Sequence, residues 1–396
     1  MFRVCLHFLY YLHSILGLIP FEIDAHRVLQ VRRSQPKCWW TLTIGCVTTV
    51  LVCYSFYTIL MGISVPVFAV RNATLIRCFV LVECSISYCT IVITFYQIIH
   101  HESKLYHYGR RFIAIAQSQW CNRSCRKTQR TAQLLTAKVL LVDIGLCTLF
   151  ALNYGVHTPT SLQEYRLINV YVMLITAQIN NALLLTLLFG SQAYSQINKQ
   201  LDDTIGKLLS FETHASYWAG RKAIRQQICC DASDTIDRMC ALHEELTEIV
   251  RTVFTILQLP ILLINLNQFI VILTRIFFMY VTITQKGFSV ISYHRFSNSV
   301  AYICYEIVQC FLLTLGSAII ARKARKPGTI LNAAINAQLD TRTERSIELF
   351  ALALLANDTG IKVAGLYGLD LMYMFSLATT INMYVIVLVQ FQLNMH

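Results

Sequence analysis

The sequence predicts an all-α membrane protein: seven transmembrane helices, N-terminus inside and C-terminus outside, with long helical extensions on the cytoplasmic side. Three observations predict it. Only 14% of the 396 residues are charged and 56% are hydrophobic, whereas a soluble domain needs about 25% charged residues to cover its surface. Seven apolar stretches reach the roughly 20 residues that a helix needs to cross the hydrocarbon core. Lys and Arg are distributed unevenly: 26 lie in residues 1–38 and in the loops after the second, fourth and sixth stretches, against 4 in the alternate loops. Basic loops stay in the cytoplasm, which orients the chain.

The elements follow in order. Residues 4–21 are apolar but carry His7 and His13 and end at Pro20. They show no small-residue cleavage site, so they read as an interfacial or re-entrant helix rather than a cleaved signal peptide. The first span runs from Trp39 to about Ile63, with Trp39 and Trp40 at the headgroup level. The second runs from Leu75 to Ile99 and holds Glu83. The third, Leu134 to Tyr154, holds Lys138 and Asp143. The fourth, Leu167 to Phe189, holds Gln178, Asn180 and Asn181. The fifth begins near Thr252, reaches Leu273 and extends past Arg275, and Pro260 is expected to bend or break it. The sixth, Ser299 to Ile320, holds Glu306. The seventh, Leu371 to Leu393, is free of charge.

Between the spans, residues 191–250 read as long amphipathic helix, with Leu242, Leu246, Ile249 and Val250 at helical spacing. Residues 329–356 read likewise, with Ile330, Leu331, Ala334, Ile335 and Leu339 as the stripe. Both stripes require apolar partners beneath the bilayer. Three sequons occur. Asn72 falls in an external loop, where glycosylation is expected, while Asn122 and Asn357 fall on the cytoplasmic side.

Several function classes are excluded. The formal net charge of +12 resides in loop blocks rather than in one patch interleaved with aromatics, so nucleic acid is not expected. None of the 15 cysteines falls in a predicted external loop, which leaves a disulfide framework unsupported. Cys121 with Cys125, and Cys229 with Cys230, lack the partner pair of a zinc site. His100, His101 and His107 read as a solvated helix end. No Walker A, GxGxxG, HExxH or GxSxG motif is present, so neither an enzyme nor a cofactor is expected. A G-protein-coupled receptor would place its N-terminus outside and carry Asp/Glu-Arg-Tyr and Asn-Pro-x-x-Tyr signatures that are missing here. An odd span count without visible repetition disfavours a transporter.

The last span reads Met383-Tyr384, five hydrophobic residues, then Gln390-Phe391. It resembles the Thr-Tyr, five hydrophobic residues, Gln-Phe signature of insect gustatory receptors, with Met383 replacing the threonine. Gly17-Leu18-Ile19-Pro20-Phe21 resembles the opening of many members. The resemblance implies a tastant-gated cation channel in the plasma membrane of chemosensory neurons, a tetramer of itself or with other gustatory receptor subunits. It divides the chain into a cytoplasmic N-terminal segment (1–38), a six-span ligand-binding bundle (39–320), and an anchor helix with the pore-lining span (321–396). Tyr384, Gln390 and Phe391 become candidate pore and gate residues. Gln390 lies about 120° around the helix from Tyr384, so rotation could exchange a phenylalanine plug for amides.

The intramembrane charges Glu83, Lys138, Asp143 and Glu306 each cost about 2.5–3.5 kcal/mol on insertion scales, so they should face protein or water. Lys138 and Asp143 are five residues apart, about 140° around an α-helix, and a direct pair within one helix is not expected. The plain reading is an interhelical clamp. The sharper one makes Asp143, Gln178, Asn181 and Glu306 polar contacts for a small-molecule tastant. Bitter or otherwise aversive compounds are one expectation for the ligand. The alternative function is a metabotropic seven-span receptor signalling through a partner.

Overall fold

The computed structural model describes residues 2–24, 30–61, 73–120, 125–157, 160–213, 222–286, 293–335, 337, 339–357 and 359–394. Helix α1 (Phe2–Ile15) is followed by an antiparallel pair, β1 (Phe21–Asp24) and β2 (Gln30–Arg33), in register Phe21 to Arg33. The first two spans are α2 (Gln35–Leu60) and α3 (Ala73–His100), and α4 (Glu102–Trp120) follows. The third span is composite. It comprises α5 (Cys125–Ala137), a π-helical segment (Lys138–Ile144) and α6 (Gly145–His157). Next come α7 (Thr160–Thr213), α8 (Lys222–Ile256), α9 (Gln258–Lys286) and α10 (Tyr293–Asn332). The chain closes with α11 (Thr341–Ala356), a short hairpin of β3 (Lys362–Val363) and β4 (Tyr367–Gly368), and α12 (Leu371–Asn394).

Among the described residues, seven helices are long and apolar enough to cross a membrane, in the order expected. Several run beyond their predicted ends. The fourth span does not stop at Phe189, because α7 continues unbroken to Thr213. The sixth continues through the basic run Arg322–Lys326 to Asn332. At the fifth, the expected break is present. Pro260 has no N–H to offer the carbonyl of residue 256, and the helix divides at Leu257 between α8 and α9.

Helix α1 is packed into the bundle rather than laid on it. Leu9 is buried with Leu135, Val139 and Leu184, and the buried His13 ring contacts the Leu9 and Gln178 carbonyls at 2.7 and 3.0 Å. Trp39 is exposed, as expected of an interfacial anchor, while Trp40 Nε1 donates to the Ser14 carbonyl at 3.0 Å and pins α1 to α2. Asn72, Asn122 and Cys121 lie outside the described residues. Asn357 caps α11 and donates to the Ala353 carbonyl at 3.0 Å.

The amphipathic stripes find their partners within one chain. Leu246, Ile249 and Val250 of α8 are buried, and α8 packs on α7 and α11. The second stripe is not one helix. Helix α10 ends at Asn332 and α11 begins at Thr341, Asp340 caps α11 by accepting from Arg342 N, and Ile335 is exposed rather than buried. A side-chain cap that starts a new helix outweighs the continuity of the hydrophobic period. We call the end of the bundle carrying α4, α8 and α11 the anchor end.

At the centre of the anchor end, His243 is buried between Tyr194 and Phe350, with ring centroids 5.0 and 5.7 Å away. Its Nε2 faces the Ala324 carbonyl at 2.9 Å, so this nitrogen must be the donor. Burial holds its pKa below the ordinary 6.5. The unfolded chain therefore binds the proton more readily. The contribution of His243 to stability is complete above pH ~6.5 and falls as the pH drops through that value. The protection of the α8 amides against hydrogen exchange, relative to the intrinsic exchange rate at each pH, is expected to fall between pH 7.5 and 5.5. His243→Gln, which keeps a donor but does not titrate, is expected to flatten that slope.

Candidate ligand and gate sites

Two polar clusters and one bare helix face carry the chemistry. The first cluster forms where the third span, α7 and α10 meet. The Lys138 ammonium lies 2.9 Å from Asp143 Oδ2, 2.6 Å from Asn181 Oδ1 and 2.8 Å from Gln309 Oε1. Asp143 is fully buried and also accepts from Asn181 Nδ2 and Gln309 Nε2, each at 2.6 Å. Asn181 Nδ2 reaches Gln178 Oε1 at 3.2 Å as well.

The direct Lys138–Asp143 pair corrects the expectation from α-helical spacing. The 138–144 segment is π-helical, and its wider turn brings residues five apart onto one side. The additional residue per turn places the ammonium over the carboxylate of its own helix. No residue in KVLLVDI signals that winding. Gln309 was not anticipated either, although it lies three residues after Glu306 on the same α10 face as Tyr302 and Tyr305.

The second cluster joins α3, α9 and α10. Arg275 lies 3.4 Å from Glu83 and stacks over the Tyr302 ring at 5.2 Å. Glu83 therefore pairs with Arg275, and not with Lys138. Glu306 is buried in the same group, near Gln268 and Tyr302. The structure thus brings Asp143, Gln178 and Asn181 together and places Glu306 in the neighbouring group. Asp143 is closed by the three donors around it. Among the buried polar atoms with no hydrogen-bond partner in the described residues are Gln178 Nε2 and the Tyr305 hydroxyl. Tyr305 packs with Cys147, Phe150, Met173 and Ala177, so its hydroxyl is a polar point in an apolar and aromatic setting. Among the described residues no group of His, Cys, Asp and Glu is arranged to hold a metal ion.

Helix α12 differs from the other spans. Only 6% of its span is buried, against 67% for α7. One face packs on α9 and α10, with Ile381 against Ile272 and Ile303. Tyr384 meets Phe269 edge-on at 5.9 Å, and Cys310 Sγ approaches Met374 Sδ at 3.2 Å. The opposite face is open and holds Phe375, Met383, Ile386, Val387 and Phe391. Asn382 and Gln390 are also exposed, and their amides bond to none of the described residues. Thr379 and Thr380 differ, because their hydroxyls donate to the Phe375 and Ser376 carbonyls. Gln392 is buried, on the packed side. Ahead of α12, the hairpin turns through Ala364 and Gly365, both at positive φ, and Tyr367 accepts from Asn265 Nδ2 at 2.6 Å.

The family model described as 7tm chemosensory receptor matches residues 6–395. The gustatory receptor for bitter taste 93a of Drosophila melanogaster is 22% identical over 230 residues. That alignment covers 56% of this chain and 52% of the relative, so about half the relative's length is spanned. The olfactory receptor OR5 of the insect Machilis hrabei shares the fold, with TM-score 0.60 and 13% identity over 98% of both chains. OR5 in complex with eugenol aligns with TM-score 0.56 and 13% identity, over 98% of this chain and 99% of that one.

Removing Lys138 leaves a buried carboxylate uncompensated, and such a loss costs about 3–5 kcal/mol. Lys138→Met is expected to lower the thermal stability of the detergent-solubilised protein sharply. Lys138→Met with Asp143→Asn is expected to lower it less, and a double variant at least as unstable as the single one would contradict the clamp.

Proposed function

Because the chain belongs to the 7tm chemosensory receptor family, we propose that it is a gustatory receptor: a tastant-gated, non-selective cation channel built from several chains. In this reading the anchor end, which carries the basic loops, lies in the cytoplasm of a chemosensory neuron and the C-terminus lies outside.

The observation that carries the channel reading is the open face of α12. Apolar side chains can face lipid at little cost, but exposed amides in a spanning helix need protein or water. Neither Asn382 nor Gln390 bonds through its amide to any described residue of the same chain. Four copies of α12 around a water-filled axis would satisfy both, and would set Phe391 next to Gln390 as an apolar constriction.

Ligand and gate share a frame in this reading. Helices α9 and α10 hold Gln268, Glu306 and Gln309, and the same two helices hold α12 through Ile272, Ile303 and Phe269. A small organic molecule, apolar with a hydrogen-bonding group, suits the open Gln178 amide and Tyr305 hydroxyl beside Phe150 and Met173. Such a guest would shift α10 against α7, and α12 would follow. OR5 was solved with eugenol, a compound of that character, and the Drosophila relative is named for bitter taste. Both support an organic, bitter or aversive tastant.

Purified protein reconstituted in liposomes tests this. Ligand-triggered cation flux without added protein supports the channel. Ligand binding without flux, with signalling restored only by a cellular partner, supports the metabotropic alternative. Phe391→Ala is expected to raise the unliganded leak several-fold, and an unchanged leak contradicts the plug. Tyr305→Phe is expected to weaken ligand potency about tenfold, the equivalent of one hydrogen bond, while leaving maximal flux intact.

A further inference from the structure

Where α7, α8, α10 and residues 359–362 converge at the anchor end, they enclose a cavity of about 240 Å³. It has no part in the ligand and gate scheme. Val250, Phe254, Ile320 and Ala324 supply apolar wall. At about 30 Å³ per small group, it has room for about eight methylene-sized units. Four hydroxyls line it, and three of their protons are committed. Thr247 Oγ1 donates to the His243 carbonyl at 2.8 Å, so in its 2.7 Å contact with Tyr194 the tyrosine is the donor. Thr255 Oγ1 donates to the Arg251 carbonyl at 2.8 Å, and Thr359 Oγ1 accepts from Arg325 Nε at 3.4 Å in an exposed contact. The interior between Tyr194 and Ile320 is therefore apolar or already hydrogen-bonded, which suits hydrocarbon.

The rim has the opposite character. Arg251 and Lys362 border the cavity with their side chains exposed. Arg322, Lys323, Arg325 and Lys326 follow on α10 immediately beyond its apolar stretch. Acidic groups lie to one side. Glu244, Glu245 and Glu248 line a neighbouring cleft of about 590 Å³ that shares Thr247 and Arg251. There Arg111 is paired with Glu245 at 2.7 Å and with Glu248 at 3.3 Å. The cavity also lies at a definite depth. Its α8 walls precede Gln258, where the fifth span begins, and its α10 walls, Ile320 and Ala324, straddle the first basic residues Arg322 and Lys323. Apolar wall and basic rim thus meet where the apolar stretches give way to charge.

We propose that this cavity is a binding site for an anionic phospholipid of the adjoining leaflet. Its phosphate lies between Arg251 and Lys362, and part of one acyl chain enters along Val250, Phe254 and Ile320. Charge complementarity at the rim and the largely apolar wall together select an anionic amphiphile over a zwitterionic lipid or a soluble anion. The site fixes the junction of α8, α10 and the segment leading to α12, and it stands whether or not the chain conducts ions.

The test uses the full-length protein in nanodiscs of phosphatidylcholine, with and without phosphatidylglycerol, and reads the unfolding temperature and the lipid retained on purification. Phosphatidylglycerol is expected to raise the unfolding temperature by several degrees and to be retained at one per chain. Arg251→Gln with Lys362→Gln, both on the surface and compatible with folding, is expected to abolish both effects, while Arg251→Lys with Lys362→Arg keeps them. Val250→Phe, filling the chamber with the cations intact, is expected to abolish retention. Should that variant fail to fold, the surface pair decides. An equal shift in the glutamine variant overturns the site. So does full reproduction of the shift by inorganic phosphate in phosphatidylcholine discs, which would mean a soluble-anion site.

Discussion

Hydrocarbon supplies no hydrogen bonds, and this constraint governs the whole molecule. Every polar group at membrane depth must be answered by protein or by water. Lys138 and Asp143 are answered inside the chain, together with Asn181 and Gln309, and this joins the third, fourth and sixth spans. Glu83 is paired with Arg275, which stacks on Tyr302, joining the second, fifth and sixth. Because a buried ion pair gains little over an apolar one, these clusters specify which helices meet more than they stabilise the bundle. The amides of Asn382 and Gln390 bond to none of the described residues. In the proposed channel the same constraint that closes the bundle brings the open face of α12 to other copies.

The anchor end obeys different physics. Outside the bilayer the hydrophobic effect operates, and α8 and α11 bury Leu246, Ile347 and Phe350 as a soluble core would. Its core continues into the spans through α7, which runs 54 residues without interruption and carries both the Asn181 contact and Tyr194. A displacement of α10 against α7 is therefore felt at both ends of the molecule.

Much of this was legible in the sequence, because span length and loop charge are properties of composition. Pro260 marked the break between α8 and α9, since a missing N–H acts locally. Asp143, Gln178 and Asn181 were readable as a group, because polar residues in apolar stretches must converge. What failed had nonlocal or unsignalled causes. The Lys138–Asp143 pair was dismissed on an α-helical geometry that the π-helical segment does not keep. Gln309 and Gln268 carry no charge and drew no notice in long spans. The stripe from Ile330 to Leu339 promised one continuous helix, whereas the cap at Asp340 starts another. Its expected partners beneath the bilayer lie in the same chain, and sequence periodicity shows burial without showing against what.

The central claim is that the amide-bearing face of α12 meets other copies of the chain while its opposite face stays with α9 and α10. A photo-crosslinking residue placed at Ile386, between Asn382 and Gln390, and separately at Ile381, on the packed face, tests this in intact membranes. The account predicts chain-to-chain adducts from position 386 and only intrachain adducts from position 381. Monomeric product from both positions would contradict it.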